Sequence, residues 1–336
     1  MSASPQLTPL PITSIEGFCM GHATNLEAGT GCTVIVAPRG AAAGVGRTRG
    51  RSRLTRNRSL APGEHRRGNS RRMPLGWIGV RARSCPSGVA RELERGRVSG
   101  LDTGPALVPI VCSSCIFDLA FGDAHVRPGT TDGIAATRAA LDDPSQNGLT
   151  EGCVGAGTGA TVGKLNGPAC AMKGGLGARA YQLGALKVGA IAVVNACGNV
   201  CDPVTGNAIA GMRRTPDSSE IVNMEEAMLA AGLHAQMPLD RTNTTISCIV
   251  TNARLTKAQA TKVAQMAADA YAHVIRPTHT TNDGDTIYVL ASGEIDETVP
   301  LDVMGLATTR ALEAALVAGV TEATGLHGIP AACDLA

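Results

Sequence analysis

The residues best suited to chemistry are a threonine, a lysine and a pair of aspartates far apart in the chain. Asn243-Thr244-Thr245 opens a run in which Thr244, Ile246, Cys248 and Val250 alternate with Thr245, Ser247, Ile249 and Thr251. β-Branched residues dominate it, so the run predicts a strand over 244–252. A strand can open this way because a turn asparagine precedes β-formers. It can also open this way because the chain is cut before Thr244, which would make that threonine a nucleophile at a new N-terminus. Lys164 lies within the glycine-rich stretch VGAGTGATVGKLNG (154–167), whose small residues let a long ammonium reach a packed site. Asp283 and Asp285 flank Gly284 in NDGDT. Two carboxylates around a glycine suit a calcium ligand set or a hairpin turn, and the full EF-hand spacing is absent.

Cofactor fingerprints fail on inspection. Gly155 and Gly157 fit a dinucleotide motif with Ala160 in the third place. No clear strand precedes them, and no acidic ribose ligand follows where one is needed. A P-loop would need glycine at Thr158 and a hydroxyl residue at Leu165. No nucleotide cofactor is therefore expected. Eleven cysteines include Cys112 and Cys115 as a CxxC, and Cys197 and Cys201 four apart. A zinc site wants two such pairs with further ligands nearby. Cys112 and Cys115 instead sit in the apolar run VPIVCSSCIFDLAFG, which predicts buried reduced thiols.

The elements around these residues read as a layered α+β protein. With only three Phe, three Tyr and one Trp in 336 residues, the core must come from Ala, Val, Leu and Ile. Strands are predicted at 31–38, 106–119, in two pieces within 188–206, at 244–252 and at 285–292. A helix follows Thr256, which can cap it, with Val263, Met266, Ala267, Ala270 and Val274 on one apolar face. Another spans 301–320. Elements running in blocks favour α+β over a doubly wound parallel sheet. No uncharged apolar run approaches the length of a membrane span, and the N-terminus has neither a basic nor an apolar leader region. The expectation is a cytoplasmic protein without a membrane partner.

The net charge of +2 conceals a division. Residues 47–97 hold fifteen Arg, no Lys and three Glu, leaving 15 Lys+Arg against 25 Asp+Glu elsewhere. Such a block could be a nucleic-acid-binding arm. A different origin fits better. Met73 and Trp77 have one codon each, and reading two bases later forces Ala and Asp, with Phe-Gly-Leu permitted between them. Residues 46–103 are thus expected to be read out of frame between two compensating shifts, and to be poorly packed.

At this point the chain resembles the DmpA-type aminopeptidases and the endo-type 6-aminohexanoate-oligomer (nylon oligomer) hydrolases. The matching pieces are GHATNLEAGTGCTVIVAPRGA (21–41), GCVGAGTGATVGKLNG (152–167), AVVNACGNVCDPVTG (192–206), NTTISCIVTNARLTKAQ (243–259) and IRPTHTTNDGDTIYVLASGEID (275–296). The family's Ala-Phe-Gly-Leu-Asp-like segment belongs where the arginine block stands. The resemblance implies a four-layer αββα sandwich of the N-terminal-nucleophile type. It implies self-cleavage between Asn243 and Thr244, giving an α chain, 1–243, and a β chain, 244–336. Thr244 would be the nucleophile, its own amine taking the proton. Lys164 would support that proton chemistry and stabilise negative charge, and the Asn195 amide would donate to the oxyanion. Asp283 and Asp285 would orient Thr244, with neither a metal nor an organic cofactor taking part. Phe117 stands where the nylon-oligomer hydrolase has a tyrosine, so a hydroxyl is lost at this candidate pocket position. The implied substrates are small peptides or linear amide oligomers, with aminopeptidase/D-esterase action on small N-terminal residues as the alternative. The implied assembly is a homo-oligomer, a tetramer or larger, of processed heterodimers. An inactive, frameshift-damaged homologue is the remaining alternative.

Overall fold

The computed structural model describes residues 6–47, 75–79, 84–96, 98, 100–142, 149–232, 243–281 and 283–335. Ten strands form the two main sheets: β1 (Thr8–Leu10), β2 (Cys19–Asn25), β3 (Thr30–Val36), β4 (Ala42–Arg47), β5 (Leu75–Gly79), β6 (Ile110–Ser114), β7 (Leu176–Leu183), β8 (Leu186–Val193), β9 (Ile246–Thr251) and β10 (Thr286–Ala291). One sheet has the order β1-β7-β8-β9-β10-β4 and the other β2-β3-β5-β6. The helices are α1 (Cys85–Arg95), α2 (Thr130–Asp142), α3 (Met224–Gly232), α4 (Lys257–Ala267), α5 (Asp269–Val274) and α6 (Leu301–Thr321).

Alternation along the central strands sorts side chains between separate cores. Ile246, Cys248 and Val250 of β9 join Met20, Ile35, Cys112, Ile191 and Tyr288 between the two sheets. Ile249 faces the other way, with Val263, Ala267, Ala311 and Leu312 under α4 and α6. A third cluster joins Cys32, Val34 and Val36 of β3 to Val89 and Leu93 of α1 and Ala136 and Ala140 of α2. With few aromatics, close approach replaces bulk. A Cβ on Gly177 of β7 would lie 2.2 Å from the Ala315 carbonyl oxygen of α6, so glycine lets helix and sheet touch backbone to backbone.

The α+β reading holds, and several boundaries differ from the sequence expectation. The 106–119 run gives only Leu107–Val108 and Ile110–Ser114 as strand. The helix after Thr256 does carry a capping box with Gln259, but it breaks at Ala268 into α4 and α5. Leu301–Thr321 is long and apolar enough to cross a membrane, yet most of it is buried, and it packs on β7 and β8. All eleven thiols are free, Cys112 buried and Cys115 half-buried.

The expectation of loose packing through 46–103 needs correction at two places. Leu75–Gly79 pairs with both β3 and β6, and Cys85, Val89 and Leu93 of α1 are buried. Apolar side chains spaced four apart give α1 a genuine core stripe despite its arginines. The rest of the arginine block, including 48–74 and 80–83, lies outside the described residues, as does the nucleic-acid-arm reading that rested on it.

Candidate active site

Three neighbouring strands of the larger sheet bring the chemistry-bearing residues to one end. β8 runs antiparallel to β9 with Val193 opposite Ile246, so the chain leaving β8 at Asn195 meets the chain entering β9 at Thr244. The Thr244 N–H donates to the Asn195 carbonyl at 2.9 Å. β9 and β10 are parallel, with Ile246 opposite Thr286. One step back along both strands sets Thr245 beside Asp285, and Asn243 bridges to Asp283.

Lys164 arrives from the glycine-rich stretch. Gly163 and Lys164 donate backbone N–H groups to the carbonyls of Gly198 and Cys197, at 3.2 and 3.1 Å. Gly163 has φ +73°, and a Cβ there would lie 2.0 Å from the Met212 nitrogen, so the turn admits only glycine. The Lys164 Nζ then donates to Asn195 Oδ1 at 2.7 Å and lies 3.4 Å from the Asn195 carbonyl oxygen. By surface area Lys164 is half-buried, but its ammonium is enclosed by protein. Desolvation brings its pKa down to about 7, opposed by the Asp283 charge and assisted by Lys173.

Asn195 is fully buried and acts as the junction. Its Oδ1 accepts from Lys164 and from the Thr161 N–H at 3.1 Å, while its Nδ2 donates to the Phe117 carbonyl at 3.1 Å. Two donors on one side and an acceptor on the other fix which amide atom is oxygen. Phe117 thus enters the site through its main-chain oxygen.

Asp283 and Asp285 are 5% and 3% exposed. Asp283 Oδ2 accepts from the Thr280 N–H at 2.7 Å. Asp285 Oδ1 accepts from the Thr245 N–H at 2.8 Å, and its Oδ2 lies 3.2 Å from His279 Nδ1. Asp285 therefore holds Thr245, the residue after the candidate nucleophile, while Asp283 holds the Thr280 turn. Burial, and then the Asp285 charge, raise the Asp283 pKa to about 6. Among the described residues no cluster of three or more His, Cys, Asp or Glu could hold a metal ion.

Sequence reading missed two participants. The Asn243 carbonyl, at the candidate cut, accepts from the Gly284 N–H at 3.2 Å, and the Thr244 hydroxyl lies 2.5 Å from the same oxygen. A backbone donor carries no sequence signal. His279, in a left-handed conformation with φ +55°, partners Asp285 from six residues away. That Asp285 hydrogen bond raises the His279 pKa.

The model of peptidase family S58 matches residues 11–332. The chain belongs to this family. An uncharacterized aminopeptidase of Mycobacterium leprae is 32% identical over 349 residues, covering 96% of this chain and 93% of that one. The 6-aminohexanoate-oligomer endohydrolase of a Kocuria species is 29% identical over 296 residues, covering 83% of this chain and 74% of that one. Among solved structures, the L-aminopeptidase D-Ala-esterase/amidase of Ochrobactrum anthropi superposes with a TM-score of 0.65 at 18% identity, covering 97% of this chain and 90% of that one. That enzyme is a variant of the Ntn hydrolase fold, and this S58 member shares the fold. The family makes the chain a hydrolase of peptide or amide bonds.

Proposed function

We propose that this S58 member cuts itself between Asn243 and Thr244, and that the freed Thr244 then hydrolyses amide bonds through an acyl-enzyme. The contact pair at the Asn243 carbonyl carries this reading. The Thr244 hydroxyl rests 2.5 Å from the carbonyl oxygen, and the Gly284 N–H sits 3.2 Å from it. The hydroxyl oxygen attacks the carbonyl carbon, and charge builds on an oxygen that already has a donor. The C–N bond to Thr244 breaks, the nitrogen takes a proton, and an ester links Asn243 to the Thr244 oxygen. Water hydrolyses that ester, leaving the Asn243 carboxylate and Thr244 as a new N-terminus with its hydroxyl free.

Before the cut Thr244 has no amine to act as base. Lys164, with its pKa near 7, has a free-base fraction at neutral pH and shares the Asn195 carbonyl with the Thr244 nitrogen. It takes the hydroxyl proton in the first event. After the cut the Thr244 amine, anchored on the same carbonyl, assumes that task toward substrate. Asn195 holds Lys164 and donates toward the oxyanion, while Asp283 and Asp285 fix the start of β9. The products are an α chain, 1–243, and a β chain, 244–336, within one four-layer αββα domain. The core between the sheets and the helices packed outside them support that layering.

The substrates in this reading are small peptides or 6-aminohexanoate-type oligomers, and the working form is a homo-oligomer, a tetramer or larger, of α/β heterodimers. Eleven free thiols suit a cytoplasmic setting. A second reading is aminopeptidase/D-esterase action on small N-terminal residues; similarity to an aminopeptidase of Mycobacterium leprae supports its aminopeptidase part. The test is a denaturing gel with N-terminal sequencing. The reading expects a 93-residue fragment, 336 − 243, beginning Thr-Thr-Ile-Ser, and one uncut band for Thr244→Ala. Cleavage of that variant at the same bond would assign the cut to another protease.

A further inference from the structure

A second lysine lies deeper than the candidate site and has no part in the steps above. Lys173 is 0% exposed. Its Nζ donates to the carbonyls of Thr158 and Ala160, at 2.8 and 2.6 Å, and stands 4.1 Å above the Phe121 ring. Asp118 is within electrostatic reach, its Oδ2 accepting from Thr30 at 2.9 Å, and the Cys153 thiol also acts on the ammonium. No carboxylate ion pair to Lys173 forms among the described residues: two carbonyl dipoles and a ring face contact the ammonium, and Asp118 acts on it only from a distance. Burying a cation this way is costly, and an apolar side chain of similar volume is often as stable or more so. Stability alone is a poor reason for a lysine here.

The two carbonyls it holds end the glycine-rich turn one residue before Thr161. The Thr161 N–H donates to Asn195 Oδ1, the atom that also receives Lys164. We propose that Lys173 is a positioning residue for the hydrolytic site: its ammonium fixes the 155–160 turn, and with it the Asn195–Lys164 contact, and sets a second positive charge beside Lys164. Lys164 is within electrostatic reach of Cys197, Asp283, Lys173 and Asp118. Of these, only Lys173 favours the neutral amine through its charge, so removing it leaves the proton more firmly on Lys164. The proposal rests on the Thr244 reading above.

Two substitutions separate the effects. Lys173→Gln keeps donors for the two carbonyls and removes the charge, whereas Lys173→Met removes both. Self-cleavage rate and amide turnover are measured against pH, with Thr244→Ala as control and thermal unfolding alongside. Lys173→Met is expected to fold with equal or higher Tm, to lose at least about tenfold in kcat with little change in KM, and to cut itself slowly. Lys173→Gln is expected to retain more kcat but to need a higher pH for self-cleavage, by about 0.5 unit or more. If both variants fold and keep the wild-type rate and pH profile, the proposal is overturned. If neither folds, Lys173 is only a structural support, which also overturns it. Activity persisting in Thr244→Ala would instead sink the nucleophile reading, so the two failures are distinguishable.

Discussion

Asn195→Ala tests the junction on which the site is built. Made in the uncut Thr244→Ala chain, it leaves one polypeptide whose unfolding can be followed with urea. The substitution removes three hydrogen bonds, at 2.7 Å from Lys164, 3.1 Å from the Thr161 N–H and 3.1 Å to the Phe117 carbonyl. The first involves a charged donor and contributes about 1.5–3 kcal/mol, the others about 0.5–1.5 kcal/mol each. Asn195 is fully buried, so water does not readily replace it. Lys164 retains its longer contact to the Asn195 main-chain oxygen, which softens the loss. A destabilisation of about 3–4 kcal/mol results, read as a lower urea midpoint with an unchanged m-value. In the Thr244-containing chain the same substitution should slow self-cleavage, because the Lys164 amine loses its anchor. Asn195→Asp keeps both acceptor contacts but sets an oxygen against the Phe117 carbonyl, so it should fall between wild type and alanine. A loss below about 1 kcal/mol for Asn195→Ala would refute the reasoning, since three buried bonds cannot be removed so cheaply.

The remaining predictions concern charge and the arginine block. Asp283, raised to about 6, ionises as pH rises through that value; amide turnover should therefore fall below about pH 6, and Asp283→Asn should abolish that limb and cost at least about tenfold in rate. Asp285→Asn should lower turnover similarly, and restoration by calcium would point to a metal site instead. Lys164 and Lys173 bind protons less readily folded than unfolded, with pKa values near 7 and 8 against an ordinary 10.5. The unfolded chain holds more protons between these limits, so stability of the Thr244→Ala chain should rise with pH from about 7 to 10.5, and Lys164→Met should flatten part of that slope in urea titrations. Restoring the shifted frame across 46–103 should raise Tm and speed self-cleavage; an unchanged Tm and gel pattern would mean that the arginine block is a native insertion.

By itself the sequence determined a central strand within 244–252, which the fold trims to 246–251, the capped helix after Thr256, the long apolar helix from Leu301 and the α+β class. Each is a local pattern: β-branched alternation, a Thr-x-x-Gln box, or a helical apolar stripe, whose cause lies within a few residues. The break of one helix at Ala268 was not legible, because nothing local forbids helix there. The candidate residues were legible as types, and through resemblance as a set. Their meeting was decided only by tertiary structure. Antiparallel β8–β9 pairing sets Asn195 against Thr244, and the parallel β9–β10 register sets Asp285 against Thr245. Strand pairing between distant segments is fixed by shared burial, which no single segment encodes. The Gly284 N–H at the Asn243 carbonyl is a backbone group present at almost every residue, and only the fold aims it there. Lys173 likewise reads as an ordinary lysine in MKGG until the sheet closes over it, leaving carbonyls and one ring as its solvent.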